Sequence, residues 1–305
     1  MPLISVGLPV FNGDRFLEQA ISSVLEQTHE DLELVISDNA STDGTERICR
    51  AFAERDSRVV YIRQEENRGA SFNHNTVAEL SRGEYFRWFA ADDWMAPTCL
   101  AECLRAHEEH PGLALAWPRP TVVDEAGEPR DDVQPDLTFD NTSPSTRLAH
   151  RIGPHANDRQ TGWCYPVYGL ARRTTFIECL PLLPFHLSDQ VVLARLALRG
   201  PWRELPQDLF FTRSWDGDST TGRMPHEVAT WFDPHAVPDR SAPYLRRYAA
   251  FIRAVARADL PLTQRVRCAG LLVAWPFTHR HLRLLLWDVK VVARSWSLPR
   301  RQVAT

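Results

Sequence analysis

Short runs of apolar, β-branched residues alternate with longer segments whose apolar residues recur every three or four positions. The first run covers residues 4–10 and stops at Pro9-Val10-Phe11-Asn12-Gly13, which predicts a buried strand closed by a turn. Asp14 follows as the cap of a helix carrying Phe16, Leu17, Ala20, Ile21, Val24 and Leu25 on one face. Residues 32–36 predict a second strand, which runs into a polar loop over 37–45 and a helix over 46–55. A third strand over 59–62, a helix over 70–80 and a fourth strand over 84–89 complete the series, and the fourth ends at Asp92 and Asp93. Pro97 then opens a helix to residue 110, 113–123 reads as strand, 190–198 as helix and 202–211 as strand. From 242 onward the pattern is helical, with apolar stripes over 245–258 and 263–296. Residues 124–158 are rich in Pro, Asp, Asn and Ser and lack periodicity, which predicts a long functional loop.

Alternation of strand and helix within the first third of the chain predicts a parallel α/β sheet. Ligands of such sheets lie beyond the carboxyl ends of the strands. Three polar clusters fall there: Pro9, Val10, Phe11 and Asn12 after the first strand, Asp38 and Asn39 through Asp43 after the second, and Asp92 with Asp93 after the fourth. Topology alone brings them to one crevice. Two adjacent carboxylates repel each other and are costly without a cation. Donors that are all oxygen suit Mg²⁺ or Mn²⁺; the alternative is an exposed turn or a helix cap. The G-x-G-x-x-G turn of nicotinamide enzymes and the P-loop are both missing. A nucleotide, if the chain binds one, is therefore held another way: a carboxylate or amide after the second strand could meet a base edge or ribose, and a metal at the fourth could hold a diphosphate.

The totals narrow the classes further. The chain has 305 residues and a formal net charge of −4, which argues against a nucleic-acid partner. The N-terminus lacks the pattern of a signal peptide, and no run approaches the ~18 uncharged apolar residues of a membrane span. Six cysteines are scattered without zinc spacing and fit buried free thiols in a reducing, cytoplasmic compartment.

Four stretches carry a resemblance to one family. Val6-Gly7-Leu8-Pro9-Val10-Phe11-Asn12-Gly13, Ile36 through Thr45, Asn67-Arg68-Gly69 with Asn73 and Asn75, and Ala91-Asp92-Asp93 resemble, in this order, blocks of the family 2 glycosyltransferases. The resemblance implies a GT-A fold, a nucleotide-sugar donor (UDP-, GDP- or dTDP-linked), a divalent cation and inversion at the anomeric carbon. It implies that Pro9, Val10, Phe11 and Asn12 line the nucleotide site, that Asp38 and Asn39 contact the base, and that Arg68 lies near the nucleotide or phosphates. It puts Asp92 toward the donor ribose or sugar and Asp93 on the metal. Two positions depart from the family pattern: Ala91, where an Asp is frequent, and Asn39, where many relatives carry a second Asp. The Q-x-x-R-W element of processive synthases is absent, so single addition is expected rather than polymerisation.

Residues 168–172 resemble the strand preceding the family's catalytic region. Ser188-Asp189 then stands where members carry an acidic general base. Asp189 is the candidate base, and a helix cap is the alternative. Residues 212–223 read as a Gly-, Ser- and Asp-rich loop, where the resemblance implies a His or Arg near the donor diphosphate, and Arg213 fits that role loosely. The expected organisation is a GT-A domain over 1–240, split into a nucleotide-sugar half (1–95) and an acceptor half (96–240), with a helical C-terminal extension over 241–305. That extension is basic and amphipathic, and three readings stay open for it: packing on its own domain, a second copy in a homodimer, or the inner face of a membrane. The expected activity is transfer of one sugar to a glycan, lipid-linked or small-molecule acceptor. Its rivals are a sugar nucleotidyltransferase, which usually needs a Gly-rich first loop with a basic residue, and a non-catalytic nucleotide-sugar-binding module.

Overall fold

A computed structural model describes residues 1–130, 143–152, 164–214, 228–236, 242–278 and 281–297; the side chains of 295–297 are not among them. β1 (Ile4–Val10) leads to α1 (Asp14–Leu25), β2 (Leu32–Asp38) to α2 (Thr45–Arg55), and β3 (Val59–Arg63) to α3 (Ala70–Leu80). β4 (Tyr85–Trp88) runs into the acidic turn, followed by β5 (Trp94–Met95), α4 (Cys99–Glu109), β6 (Leu115–Val123) and α5 (Pro144–Ile152). Then come β7 (Ala171–Arg172), α6 (Arg173–Ile177), α7 (Asp189–Arg199), β8 (Trp202–Arg213), α8 (Ala229–Phe232), α9 (Pro243–Arg257), α10 (Leu262–Ala274) and α11 (His281–Ser297).

The main sheet has the order β3-β2-β1-β4-β7; the first four strands are parallel and β7 is antiparallel. Burial on both faces explains the unbroken apolar runs: every residue of β2 is buried, and only Pro9 of β1 is partly open. Because β2 and β3 lie on one side of β1 and β4 on the other, chain direction across the sheet reverses between β1 and β4. That switch point is where an open α/β sheet forms its crevice. Helix α3 seats so closely on the sheet that a Cβ on Gly7 would stand 2.9 Å from both the Phe86 ring and the Val77 side chain.

A second sheet, β5-β8-β6, stands beside the first. β6 and β8 pair in parallel, with a register shift between Pro118 and Pro120, which cannot donate to the ladder. β5 pairs antiparallel with β8 through Trp94 opposite Phe211 and Met95 opposite Phe210. This short pairing delivers the end of β8, Arg213, to the acidic turn.

Three elements differ from the sequence expectation. The stretch over 124–158 contains helix α5, whose Leu148 and Ile152 face the core four positions apart. A nine-residue helix is too short to declare itself by periodicity. The rest of the expected flap, 131–142 and 153–158, lies outside the described residues, as do 215–223 of the second expected loop. The strand expected over 168–172 is shorter, β7 at Ala171–Arg172, and follows a 3₁₀ turn over Tyr165–Tyr168. The stripe expected over 263–296 breaks into α10 and α11 at Trp275-Pro276-Phe277, where the proline lacks the N–H a continuous helix needs.

The C-terminal helices share a core with α5 and α7 through Leu148, Val191, Ala194, Leu198, Phe251 and Leu272. Six free cysteines are present, five of them buried. No helix among the described residues is long and apolar enough to cross a membrane.

One buried acid sits in this region. Asp288 is 0 % exposed, and its Oδ2 accepts the Leu245 N–H at 2.8 Å. Burial pushes its carboxyl up to about 6, against backbone hydrogen bonds and Arg247 that favour the anion. The fold therefore favours the protonated form. That contribution is complete below the unfolded value of about 3.9 and is lost as pH rises through the folded one. The helical signal should resist urea better at about pH 4 than at about pH 7 on this account. Asp288→Asn is expected to flatten that difference, read by circular dichroism at both pH values.

Candidate functional site

The crevice begins where β1 ends. Asn12 adopts a left-handed backbone, φ +51°, and its N–H donates to Ser41 Oγ at 2.9 Å. Its Oδ1 accepts the Thr42 N–H at 2.8 Å. The next residue, Gly13, donates to Thr45 Oγ1, and Asp14 accepts the Gly44 N–H. The first loop is thereby tied to the second. Val10 is the buried end of the strand and Pro9 is partly open, whereas Phe11 is 43 % exposed.

Asp38 and Asn39 differ from expectation. Asp38 is fully buried: Oδ2 accepts Tyr61 Oη at 2.8 Å and Arg63 Nη1 at 2.7 Å, and Oδ1 accepts the Ser41 N–H at 2.8 Å. Asn39 donates from Nδ2 to Asn67 Oδ1 at 2.8 Å and accepts the Arg68 N–H at 3.0 Å. Both side chains are therefore engaged in building the loop, and neither presents a free edge to a base. The anion is inside because Arg63 and Tyr61, one strand away, satisfy it. Arg68 is exposed, with its guanidinium 3.6 Å over the Phe72 ring. Gly69, φ +83°, holds the start of α3 where a Cβ would meet the Phe232 carbonyl at 2.4 Å. Asn73 crosses beneath, donating to the carbonyls of Val10 and Ser37.

The acidic turn follows β4. Asp93 is 3 % exposed, and its Oδ1 accepts the Arg213 N–H at 2.9 Å. Burial first, and Asp92 second, push its carboxyl well above the usual range, against the Arg213 N–H and the Thr212 side chain. Asp92 is the more open of the two. The Arg213 guanidinium is buried and reaches four acceptors: the carbonyls of Asp92 (3.2 Å), Asp124 (3.3 Å) and Glu125 (2.6 Å), and Gln19 Oε1 (2.8 Å). It also lies 4.1 Å from the Phe16 ring centre. Arg213 therefore shapes the acidic turn and has no face left for a diphosphate.

Asp189 opens α7 and is half-buried. No side-chain cap bond forms at this helix start, and the fully buried Ser188 Oγ has no hydrogen-bond partner. The capping alternative is thus not what these two residues do. Leu187, just before them, is left-handed at φ +68°. Three of the four non-glycine residues with positive φ among those described, Asn12, Ala40 and Leu187, sit in the loops that carry candidate residues. Such conformations cost energy and persist where the surroundings over-determine them. The field at Asp189 comes from Arg151 and Arg247, both buried. His74 and His186, pushed down to about 4 by burial against the pull of Asp189, stand neutral beside it.

A metal would find only oxygen here. Among the described residues no group of three or more His, Cys, Asp or Glu could hold an ion. Among the described residues the crevice offers the Asp92–Asp93 pair. That fits Mg²⁺ or Mn²⁺, which take one or two carboxylates and complete their shell with water and substrate phosphate. The fit rests on the two together: Asp92 is the more open, and buried Asp93 stands beside it.

Sequence reasoning missed Arg63 and the true place of Arg213. Each acts on a partner 25 and 120 positions away, a separation no periodicity reports.

The family model "Glycosyl transferase family 2" matches residues 5–178. The chain is 37 % identical over 92 residues to glycosyltransferase GlyA of Streptococcus pneumoniae, covering 30 % of this chain and 13 % of that protein. It is 32 % identical over 127 residues to chondroitin synthase of Escherichia coli, covering 42 % and 18 %. It is 30 % identical over 148 residues to the putative teichuronic acid biosynthesis glycosyltransferase TuaG of Bacillus subtilis, covering 48 % and 58 %. These matches span less than two thirds of each relative's length. Among solved structures the chain resembles S. aureus TarS 1-349 in complex with UDP-GlcNAc, with a TM-score of 0.67 at 16 % identity over 96 % of this chain and 79 % of that one. It also resembles the mannosyltransferase PcManGT of Pyrobaculum calidifontis in complex with GDP-Man and Mn²⁺, with a TM-score of 0.53 at 17 % identity over 97 % and 86 %. The fold is the GT-A arrangement of a nucleotide-binding sheet flanked by helices, extended by C-terminal helices.

Arg213→Lys keeps a cation but loses the fork that spans four acceptors. Its expected cost is about 1–3 kcal/mol of stability, measured by urea unfolding against the unsubstituted chain.

Proposed function

The chain belongs to glycosyl transferase family 2, and from that premise we propose that it moves one sugar from a nucleoside-diphosphate donor to an acceptor hydroxyl, inverting the anomeric carbon. The observation that carries this reading is the acid pair at the β1–β4 switch point, where Asp93 is buried beside Asp92 and pushed well above the usual carboxylate range, and Asp92 is the more exposed of the two. Phe11 and Asn12, with the loop that Asp38 and Asn39 hold in shape, form the nucleotide wall. Arg68, the exposed cation at the start of α3, faces the diphosphate.

Asp92 is the carboxylate we assign to the divalent cation and donor phosphates. Asp93, pinned by the Arg213 N–H, braces it from behind. This weighting departs from the sequence expectation, which put the metal on Asp93, because Asp93 is almost closed to ligands. A divalent ion there would neutralise charge growing on the departing diphosphate.

Asp189 takes the acceptor proton as the acceptor oxygen bonds to the anomeric carbon and the bond to the diphosphate oxygen breaks. Buried Arg151 and Arg247 and the neutral imidazoles of His74 and His186 surround it. Chondroitin synthase and TuaG point to a polysaccharide acceptor of the cell surface, and the ligands of TarS and PcManGT point to UDP or GDP in the donor.

Calorimetric titration with UDP, GDP and dTDP, each with Mn²⁺ and with EDTA, tests the donor site. One nucleotide should bind only with the metal, and Asp92→Ala should abolish that binding. If none of the three binds to a chain still folded by circular dichroism, the donor-site reading is wrong.

Asp189→Asn tests the base separately. Turnover should fall about 10²-fold or more, while Mn²⁺-dependent nucleotide affinity stays within about twofold. A variant that loses nucleotide affinity to the same degree would place Asp189 in donor binding instead.

A further inference from the structure

Charge is divided unevenly along the chain. Residues 1–240 hold 23 Lys and Arg against 37 Asp and Glu, a net −14, whereas residues 241–305 hold 12 against 2, a net +10. Of the two acids in the basic part, Asp288 is buried and Asp259 lies at the turn between α9 and α10. The outward charge of these helices is therefore almost wholly positive.

The same helices expose large apolar side chains. On α11, Leu282, Leu286 and Val289 are 42 %, 50 % and 51 % exposed and follow one another at i, i+4 and i+7, so they form one stripe. Arg283 and Lys290, both exposed, run along one side of it. On α10, Val266 and Val273 are 62 % and 70 % exposed, and Phe277, in the turn that follows, is 75 % exposed. Other faces of these helices already fill the core through Cys268, Leu272, Trp275 and Leu285. The outer apolar stripes are thus surplus to folding, and surplus apolar surface rimmed by charge marks an interaction site.

We propose that the outer face of α11, with Phe277, docks on an anionic lipid surface. The apolar stripe enters the headgroup boundary, and Arg283 and Lys290 keep their charges at the level of the lipid phosphates. Charge selects this occupant over a second copy of the chain. A two-fold dimer through this face would press two strongly basic surfaces together. An anionic leaflet attracts them instead and repels the acidic body, so the protein lands helices first. The proposal is independent of the reaction assigned above.

Flotation of the full chain with vesicles decides it. Vesicles with about one third phosphatidylglycerol in phosphatidylcholine should carry the protein, and phosphatidylcholine alone should bind it about tenfold or more weakly. Binding should fall steeply as salt rises. The paired substitutions Leu286→Ser with Val289→Ser, and Arg283→Glu with Lys290→Glu, should each weaken partition about tenfold or more. The circular dichroism spectrum should not change. Equal or no binding to the two vesicle types, or binding that neither pair weakens, would overturn the proposal. So would sedimentation velocity without lipid if it shows a dimer that these same substitutions dissociate, because the face would then belong to a second copy.

Discussion

A half-buried pair of adjacent carboxylates at the end of β4 needs positive charge around it, and much of the fold is arranged to supply only part of it. The Arg213 backbone N–H reaches Asp93, and the Arg213 guanidinium holds the carbonyls that fix Asp92 and the loop after β6. To do so, the second sheet must carry β8 back to β5, 120 positions away in the chain. Even so, the Asp93 carboxyl remains well above its usual range, with burial as the first cause. The protein stops short of neutralising Asp93. A site completed by protein cations alone would have no affinity left for an ion and a diphosphate.

The second loop follows the opposite rule. Asp38 is as deeply buried as Asp93, but Tyr61 and Arg63 satisfy it fully. An anion matched in this way holds backbone in place. It positions Ser41, which meets Asn12, and sits next to Asn39, which meets Asn67 and Arg68. Three loops thus lock through side-chain amides and hydroxyls rather than through strand pairing. The left-handed residues Asn12 and Ala40 are held by that lattice. Two buried acids of the same chemistry therefore do different work, and the difference lies in whether a cation meets them inside the chain.

The sequence made legible whatever repeats locally. The parallel strands, α1 to α3 and the convergence of three polar clusters followed from periodicity and from the rule about strand ends. What it hid depends on contacts across distance. Nothing near Asp38 announces that Arg63 closes it off, and Arg213 reads as a loop cation until β8 is seen to end at the acidic turn. Helix α5 was hidden by its shortness and by the polar stretch around it. Asp189 was legible as a candidate through the family resemblance, beside the reading as a cap; the partnerless Ser188 hydroxyl and the missing cap bond remove the cap and leave the base as a proposal.

Helix α7 joins the site to the C-terminal helices. It spans 11 residues, and Val192, Leu193, Leu196 and Ala197 pack beneath the main sheet. Val191, Ala194 and Leu198 pack on the other side, among residues of α5, α9 and α10. A helix apolar on nearly all sides is stable only with neighbours on each of them. The sheet supplies one wall and the C-terminal helices supply the other. Arg247 of α9 adds a polar link, donating to Gln190 Oε1 at 2.7 Å, one residue beyond Asp189. The placement of Asp189 at the start of α7 thus depends on helices that follow it by more than fifty residues. What sequence pattern alone divides into a transferase domain and an extension is joined in structure, because the extension forms half of the bed in which α7 lies.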